Sequence, residues 1–190
     1  MLVFITGGVR SGKSSFAEKL AYSLVTPVRN KLIYIATSKK YDTEIEIRIQ
    51  KHQEQRNESG FTWETWEQST GLELIYTNLK QNQVILIDCL TTLIANELFR
   101  NLQSWDNLSI QQDISERIMN FLIDAQKNNF TLLIVSNELL NGGLYYSKAT
   151  LTYMKLIGEL HQKIVQTADD VYLVEAGIPL KLKGCVKSEH

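Results

Sequence analysis

The residues with the clearest capacity for chemistry lie close to the start of the chain. Positions 7–14 read Gly-Gly-Val-Arg-Ser-Gly-Lys-Ser and fit the pattern G-x-x-x-x-G-K-[ST], the phosphate-binding loop or P-loop. Glycines let successive backbone N–H groups converge on a polyphosphate, and the N-terminus of a following helix favours its negative charge. We expect Lys13 to reach the β- and γ-phosphates and Ser14 to hold Mg²⁺. The segment predicts a nucleoside triphosphate site.

A carboxylate follows the most apolar strand predicted in the chain. Residues 84–87 read Val-Ile-Leu-Ile, and Asp88 comes directly after them. P-loop enzymes place an acidic side chain near the magnesium ion at such a strand end. The alternative is an ordinary polar residue capping a strand. Because a P-loop lies upstream, we favour a role beside the metal.

A second candidate cluster lies on a helix predicted from Asp42 to about residue 57. At about 100° per residue, one stripe of this helix combines apolar and cationic side chains: Ile45, Ile49, His52 and Arg56, with Arg48 beside it. Guanidinium groups bind phosphate through paired hydrogen bonds, and an imidazole among phosphates can act as a base, an acid or a nucleophile. The same spacing suits a partly buried histidine held by its neighbours. The residue pattern alone leaves both interpretations open.

The elements that position these residues alternate between strand and helix. Strands are predicted at 2–5, 32–37, 61–66, 84–88 and 132–135, helices at 14–24, 42–57, 71–79, 90–100, from 109 onwards and 148–167, and a hairpin at 171–175 and 178–183. This alternation predicts an α/β fold with a mostly parallel sheet covered on both faces. The carboxyl ends of parallel strands share one edge, so the P-loop and Asp88 should meet there. We expect a single domain over residues 1–190, with a mobile tail from about 186.

Two of the predicted helices show one buried face. Helical spacing from a predicted capping box at 109–112 gives the buried set Ile110, Ile114, Ile118, Phe121, Leu122 and Ala125. For the helix at 148–167 the predicted apolar set is Leu151, Leu156, Ile157, Leu160 and Ile164.

Composition excludes several classes of protein. The chain has 20 Lys and Arg against 21 Asp and Glu, a net charge of −1, so neither nucleic acid nor an acidic membrane surface is expected as its main partner. Cys89 and Cys185 are isolated, which indicates a reducing compartment and no zinc site. No run approaches 18 apolar residues, and the start does not resemble a signal peptide. We therefore expect a cytoplasmic protein.

Other residues allow more than one interpretation. Cys89 follows an apolar run and is expected to be a small buried hydrophobe. His161 lies between apolar helix positions and is expected to be structural. Trp63 and Trp66 could be core residues or could stack on a base. Residues 136–138, Ser-Asn-Glu, end a strand on the active edge, so a role in binding is plausible.

Taken together, these segments resemble the bifunctional adenosylcobinamide kinase/adenosylcobinamide-phosphate guanylyltransferase family of cobalamin biosynthesis. The resemblance runs from residue 1 to about 183, and the R-I-x-x-H-x-x-x-R helix at 48–56 makes it more specific than the P-loop alone. The matching segments are 7–14 with 16–18, 34–37, Asp42, Glu44, 48–52, Arg56, 63–65, Glu67, 88–92, 135–138, 168–171 and 176–180.

The resemblance implies a three-layer, RecA-like P-loop NTPase fold with a C-terminal antiparallel hairpin, assembled as a homotrimer. It implies two reactions that use ATP or GTP together with Mg²⁺. One phosphorylates the corrinoid adenosylcobinamide, and the other transfers GMP from GTP to the resulting phosphate, giving adenosylcobinamide-GDP. The histidine matching His52 carries GMP covalently in that family.

Site residues follow from the same resemblance. His52 and Lys13 are expected to be catalytic, and Ser14 and Asp88 to hold magnesium with the nucleotide. The expected nucleotide contacts are Gly7, Gly8, Val9, Arg10, Ser11, Gly12, Lys13, Ser14, Ala36, Thr37, Ser38, Gln53, Glu54, Gln55, Arg56, Glu67 and Asp88.

Two segments depart from the family pattern. After residue 138 the family continues V-G-x-G-I-V-P, whereas residues 139–145 read Leu-Leu-Asn-Gly-Gly-Leu-Tyr. Where the family has G-R-x-N-Q, residues 158–162 read Gly-Glu-Leu-His-Gln, which reverses a charge at Glu159. The alternatives are another small-molecule P-loop kinase, in which His52 only binds phosphate, and a nucleotide-binding paralogue lacking one activity. A nucleotide-dependent switch is a further class, but the N-K-x-D signature of small GTPases is absent.

Overall fold

The structure is a computed structural model that describes residues 1–26, 31–39, 63–101, 105–139 and 147–184. The predicted helix at 42–57, with its histidine and arginines, lies outside these residues.

In this part of the chain, seven strands form one sheet in the order β3-β2-β4-β5-β1-β6-β7. Six strands are parallel, and β7 pairs antiparallel with β6. Their bounds are β1 Leu2–Gly7, β2 Leu32–Ala36, β3 Trp63–Glu67, β4 Val84–Asp88, β5 Thr131–Asn137, β6 Asp170–Glu175 and β7 Ile178–Lys183. The four central strands are buried along nearly their whole length, because both faces of a parallel sheet are covered. The predicted mostly parallel sheet with a terminal hairpin is confirmed.

Helices cover both faces of this sheet and complete three layers. The described helices are α1 Lys13–Ser23, a 3-10 helix Leu72–Asn78, α2 Leu90–Leu98, α3 Leu108–Lys127 and α4 Lys148–Thr167. Helix α1 packs on one face, against a core that contains Val3 and Leu86. The other helices pack on the opposite face, against Phe4 and Ile134. Within the described residues, no helix is both long and apolar enough to cross a membrane.

The N-cap of helix α3 lies two residues earlier than its sequence pattern indicates. The predicted capping box starting at Ser109 is wrong, because Asn107 is the N-cap and its side-chain oxygen accepts a hydrogen bond from Ser109 N at 2.9 Å. Asparagine caps a helix at least as well as serine does, so the earlier residue takes the position. The predicted buried face is confirmed for Ile114, Ile118, Phe121, Leu122 and Ala125, with Ile110 packed partly against the same core.

Helix α4 has the predicted bounds, but one member of its predicted apolar face points elsewhere. Leu151 is 52% exposed, whereas Leu156, Ile157, Leu160 and Ile164 are buried. Leu160 lies nine residues further along, which at about 100° per residue places the two side chains roughly 180° apart. Leu151 therefore lies on the solvent side of the helix.

Arg117 joins three elements on the outer side of one helical layer. Its guanidinium contacts Glu73 of the 3-10 helix at 3.0 Å, Glu97 of α2 at 3.3 Å and Asp113 of α3 at 2.8 Å. Glu97 is nearly buried and also accepts a hydrogen bond from Gly71 N at 2.6 Å. Burial alone would lower the pKa of Arg117, but its hydrogen bonds to Glu97 and Asp113 raise that pKa above the ordinary value. The cluster fixes the 3-10 helix, which follows β3, against α2 and α3.

We expect Arg117→Ala to lower the free energy of unfolding by about 2 kcal/mol, because it leaves the Glu97 carboxylate nearly buried without its counter-ion. Urea unfolding measures this loss. The control is Lys155→Ala, whose partner Glu159 lies 3.8 Å away in an exposed pair. The control should change stability by less than about 0.5 kcal/mol. Equal effects of the two substitutions would contradict the role of the cluster.

Candidate nucleotide-binding site

The loop at 7–14 connects β1 to α1 at the carboxyl edge of the sheet. Two backbone hydrogen bonds shape it, from Ser11 N to Gly8 O at 3.2 Å and from Phe16 N to Gly12 O at 3.0 Å. Gly12 has a φ of 89°, which favours glycine, and Arg10 has a φ of 61°. The loop therefore curls directly into the first turn of α1, as a phosphate-binding loop requires.

Close packing explains the first glycine of the motif. A Cβ built on Gly7 would meet the carbonyl oxygen of Val174 in β6 and would lie 2.7 Å from Ser11 Oγ. The turn of the β6–β7 hairpin also contacts the loop, because Gly177 N donates to Ser11 O at 2.8 Å. The sequence predicted the hairpin but not its contact with the loop, which depends on the placement of β6 beside β1.

The loop lysine is buried beside an acidic group. Lys13 Nζ donates to Gly8 O at 2.9 Å, and its side chain is almost fully covered. Burial lowers the pKa of this ammonium, while Asp88 and Cys89 partly oppose that shift. The site thus holds a partly desolvated cation, which suits recognition of phosphate charge.

Strand pairing places Asp88 at the same edge. Asp88 ends β4, where it pairs with Ala36 of β2 on one side and with Val135 of β5 on the other. The Tyr34 hydroxyl donates to Asp88 Oδ2 at 3.0 Å. The two site residues predicted from distant segments, Lys13 and Asp88, therefore lie close enough to interact electrostatically.

Thr37 joins the end of β2 to the turn after β4. Its hydroxyl donates to Cys89 O and accepts from Cys89 N, both at 2.8 Å. Its backbone N–H donates to Asp88 O at 3.1 Å, and its carbonyl accepts from Asn96 Nδ2 at 2.9 Å. Thr37 is fully buried, so its polar groups serve the protein framework. Its neighbours Ala36 and Ser38 lie at the same strand end, and a nucleotide contact from these three residues stays a prediction.

A polar network that sequence reasoning missed surrounds Cys89. The thiol is partly buried beside the α1-side core, and its sulfur lies 3.1 Å from the hydroxyls of both Thr91 and Thr92. Asn137 Nδ2 donates to Thr91 Oγ1 at 2.9 Å, and the Tyr153 hydroxyl donates to Thr91 O at 2.8 Å. Burial and the adjacent Asp88 raise the pKa of the thiol, so it stays protonated. The only sequence signal was the pair of threonines after Asp88.

His161 has the structural surroundings expected for it. Its Nε2 lies 2.7 Å from Ser136 Oγ, and its ring packs edge-on against Phe4 with centroids 5.0 Å apart. Burial lowers the pKa of this imidazole, and Glu138 partly opposes the shift. These contacts tie α4 to β5 and β1.

The two tryptophans of β3 pack on opposite faces of the sheet. Trp63 donates from Nε1 to the Tyr22 hydroxyl at 2.7 Å and belongs to the α1-side core. Trp66 packs against the other core and donates to Glu64 Oε1 at 2.8 Å. Glu67 ends this strand opposite Ala36, at the site edge. Both tryptophans therefore pack against the core, which agrees with the first of the two interpretations given for them.

Several predicted site residues lie outside the described part of the chain. They are His52, Gln53, Glu54, Gln55 and Arg56, and most of the divergent segment at 139–145 lies outside it as well. The other divergent position, Glu159, is half-exposed and pairs with Lys155.

The P-loop between a buried parallel strand and its helix, with Lys13 beside Asp88, defines a P-loop nucleotide-binding protein. The family model for cobinamide kinase / cobinamide phosphate guanyltransferase matches residues 3–182, and the chain belongs to that family. It is therefore a transferase of the kinase and nucleotidyltransferase class, as the sequence resemblance implied.

Relatives match the chain over nearly its whole length. The bifunctional adenosylcobalamin biosynthesis protein CobU of Escherichia coli K12 is 32% identical, over 96% of this chain and 100% of its own. The bifunctional adenosylcobalamin biosynthesis protein CobP of Pseudomonas aeruginosa is 30% identical, over 95% of this chain and 96% of its own.

Solved structures share the fold at low identity. A Pyrococcus horikoshii OT3 protein aligns with a TM-score of 0.51 at 11% identity, over 98% of this chain and 87% of its own. A solved ATPase domain aligns with a TM-score of 0.50 at 13% identity, over 90% of this chain and 68% of its own.

We expect Gly7→Ala to destabilise the protein by about 2 kcal/mol, because the added methyl group must displace β6 or the loop. Gly158→Ala is the control, since a Cβ there meets nothing within 4 Å and the residue lies inside α4. That control should raise stability by about 0.5–1 kcal/mol. Thermal unfolding of both variants compares them, and a neutral Gly7 variant would argue against the close approach of β6.

The buried imidazole gives a pH dependence of stability. Because burial lowers the pKa of His161 in the folded protein, the unfolded chain takes up this proton more readily. The stability that the neutral, buried imidazole allows is fully present above the ordinary pKa of 6.5. The free energy of unfolding then falls as the pH drops through that value towards the lower pKa of the folded protein. We expect His161→Gln to reduce the loss of stability between about pH 7.5 and about pH 5.5 in urea titrations. An unchanged pH dependence would contradict this burial effect.

Proposed function

We propose that the chain phosphorylates adenosylcobinamide and transfers GMP from GTP to adenosylcobinamide-phosphate through a guanylylated His52. The observation that carries the proposal is the family match over residues 3–182, together with a P-loop whose lysine lies beside Asp88. The names of the relatives, which describe bifunctional adenosylcobalamin biosynthesis proteins, support the same pair of reactions.

In the kinase step, the loop N–H groups and Lys13 bind the phosphates of the donor. The hydroxyl oxygen of the acceptor forms a bond to the γ-phosphorus and loses its proton to solvent, the bond to the β–γ bridging oxygen breaks, and the nucleoside diphosphate leaves. Little covalent chemistry falls to the protein in such a transfer, so positioning and electrostatics dominate. The buried Lys13 ammonium supplies positive charge in a partly dry site, where it stabilises developing negative charge most strongly.

In the second step, a neutral imidazole nitrogen of His52 attacks the α-phosphorus of GTP, and pyrophosphate leaves. The phosphate oxygen of adenosylcobinamide-phosphate then attacks the same phosphorus and frees the histidine. A covalent intermediate divides one difficult transfer into two easier ones. We propose that the 53–56 segment, residues 36–38 and Glu67 contact the nucleotide, with Arg48 and Arg56 binding phosphate.

The donor set fits a magnesium ion held jointly by protein and nucleotide. Ser14 offers a hydroxyl and Asp88 a carboxylate, which are the hard oxygen ligands that Mg²⁺ prefers. The described residues contain no group of three His, Cys, Asp or Glu side chains able to hold a metal. Such a sparse set is typical of Mg²⁺ bound through one or two side chains plus phosphates. The ion, when bound, neutralises phosphate charge.

We also propose that residues 1–190 act as one domain in a cytoplasmic homotrimer. An exposed apolar stripe on the edge strand β7 supports assembly, since Ile178, Leu180 and Leu182 are 63%, 48% and 63% exposed. The nucleotide substrates favour the cytoplasm.

The intermediate can be tested with α-³²P-labelled GTP followed by denaturing electrophoresis. A phosphoramidate on histidine is acid-labile and base-stable, so we expect such a label on the wild-type protein and none on His52→Ala. Lys13→Ala should stay folded and lose the label, because the loop no longer holds the triphosphate. Label that persists on His52→Ala would place the nucleophile elsewhere. Phosphorylation of adenosylcobinamide without any label would identify a simple kinase.

A further inference from the structure

The Tyr34–Asp88 hydrogen bond joins the proposed metal ligand to the neighbouring strand. We propose that Tyr34 is a positioning residue that orients the Asp88 carboxylate towards the magnesium-bound nucleotide. This inference rests on the proposed function, because it assigns a role within the same site.

Strand pairing explains how the tyrosine reaches the carboxylate. In the β2–β4 register Tyr34 lies opposite Leu86, and Ala36 lies opposite Asp88. Side chains two residues apart on a strand share one face, so Tyr34 and Asp88 are diagonal neighbours on the α1 side of the sheet. A diagonal pair is within reach of a long aromatic side chain. The hydroxyl donates to Asp88 Oδ2 at 3.0 Å.

The tyrosine ring is itself held in place. Tyr34 is almost fully buried, and the ring of Trp63 packs edge-on against it with centroids 6.1 Å apart. Trp63 is fixed in turn by Tyr22, through a 2.7 Å hydrogen bond and a ring contact of 5.6 Å. Tyr22 lies on α1, the helix that begins with Lys13. The same packed aromatic group therefore supports both Asp88 and the helix that carries the loop lysine.

A phenol is well suited to this task. It donates one hydrogen bond to the carboxylate without neutralising its charge, so the aspartate keeps its attraction for a cation. A lysine or arginine in that place would compete with the metal for the carboxylate. Fixing the carboxylate beforehand also avoids part of the entropy cost of ordering it on binding.

Tyr34→Phe removes only the hydroxyl and keeps the ring in the core. We expect it to weaken Mn²⁺ binding in the presence of GTP about tenfold, measured by electron paramagnetic resonance of free Mn²⁺. The measurements use the full chain in a His52→Ala background, which keeps GTP intact. Affinity for GTP without divalent cations, measured in EDTA, should change less than about twofold, because the hydroxyl acts on the carboxylate that holds the metal.

The matched control is Tyr76→Phe, in which the lost hydroxyl bonds to Asn128 and Asp124 at 2.6 and 3.4 Å on the surface of the other helical layer. It should leave Mn²⁺ affinity unchanged. A double variant, Tyr34→Phe with Asp88→Asn, should bind Mn²⁺ no more weakly than Asp88→Asn alone, because the hydroxyl acts through the carboxylate.

Two results would overturn the inference. The first is an unchanged Mn²⁺ affinity in Tyr34→Phe, even if its unfolding temperature falls. The second is a double variant in which the losses of Mn²⁺ affinity from the two substitutions add fully. The proposed function fails separately. Absence of a guanylyl label on the wild-type protein alongside weakened Mn²⁺ binding by Tyr34→Phe would reject GMP transfer and keep the positioning role. A normal label with unchanged Mn²⁺ binding would do the reverse.

Discussion

Pairing between parallel strands is the constraint on which the rest of this structure depends. In a parallel sheet the carboxyl ends lie at one edge, and here the pairs Ala36–Asp88 and Gly7–Asn137 bring together residues far apart in the chain. A shift of one residue in either pair would turn each side chain to the opposite face. The apolar side chains buried on both faces oppose such a shift, so the core determines where the chemistry can occur.

Within that frame the site combines a desolvated cation with an oriented anion. Lys13 is buried against the loop that it serves, and Asp88 is held by the hydroxyl of Tyr34. Thr37 fixes the backbone just after the aspartate, because its hydroxyl bonds to both the carbonyl oxygen and the N–H of Cys89. The entropy cost of ordering these side chains is therefore met when the protein folds, so the groups are already in place when a nucleotide binds.

Local sequence patterns were sufficient to predict a structural feature wherever the residues that determine it lie within one segment. The P-loop motif, the apolar strand before Asp88 and the bounds of α4 all appear in the sequence, because each reflects propensity or periodicity within a few turns. The cap of α3 and the orientation of Leu151 were mispredicted. In the first case two good capping residues competed within three positions, and in the second an apolar residue lay off the buried stripe.

The sequence by itself determined the class of fold, the phosphate loop and the acidic residue that faces it, since these depend on residue type and spacing along the chain. Only the tertiary structure decided which side chains support them. The contacts from Tyr34 to Asp88, from Thr37 to Cys89 and from Gly177 to the loop join separate segments. Such contacts depend on which strands become neighbours, and sequence spacing carries no record of that order.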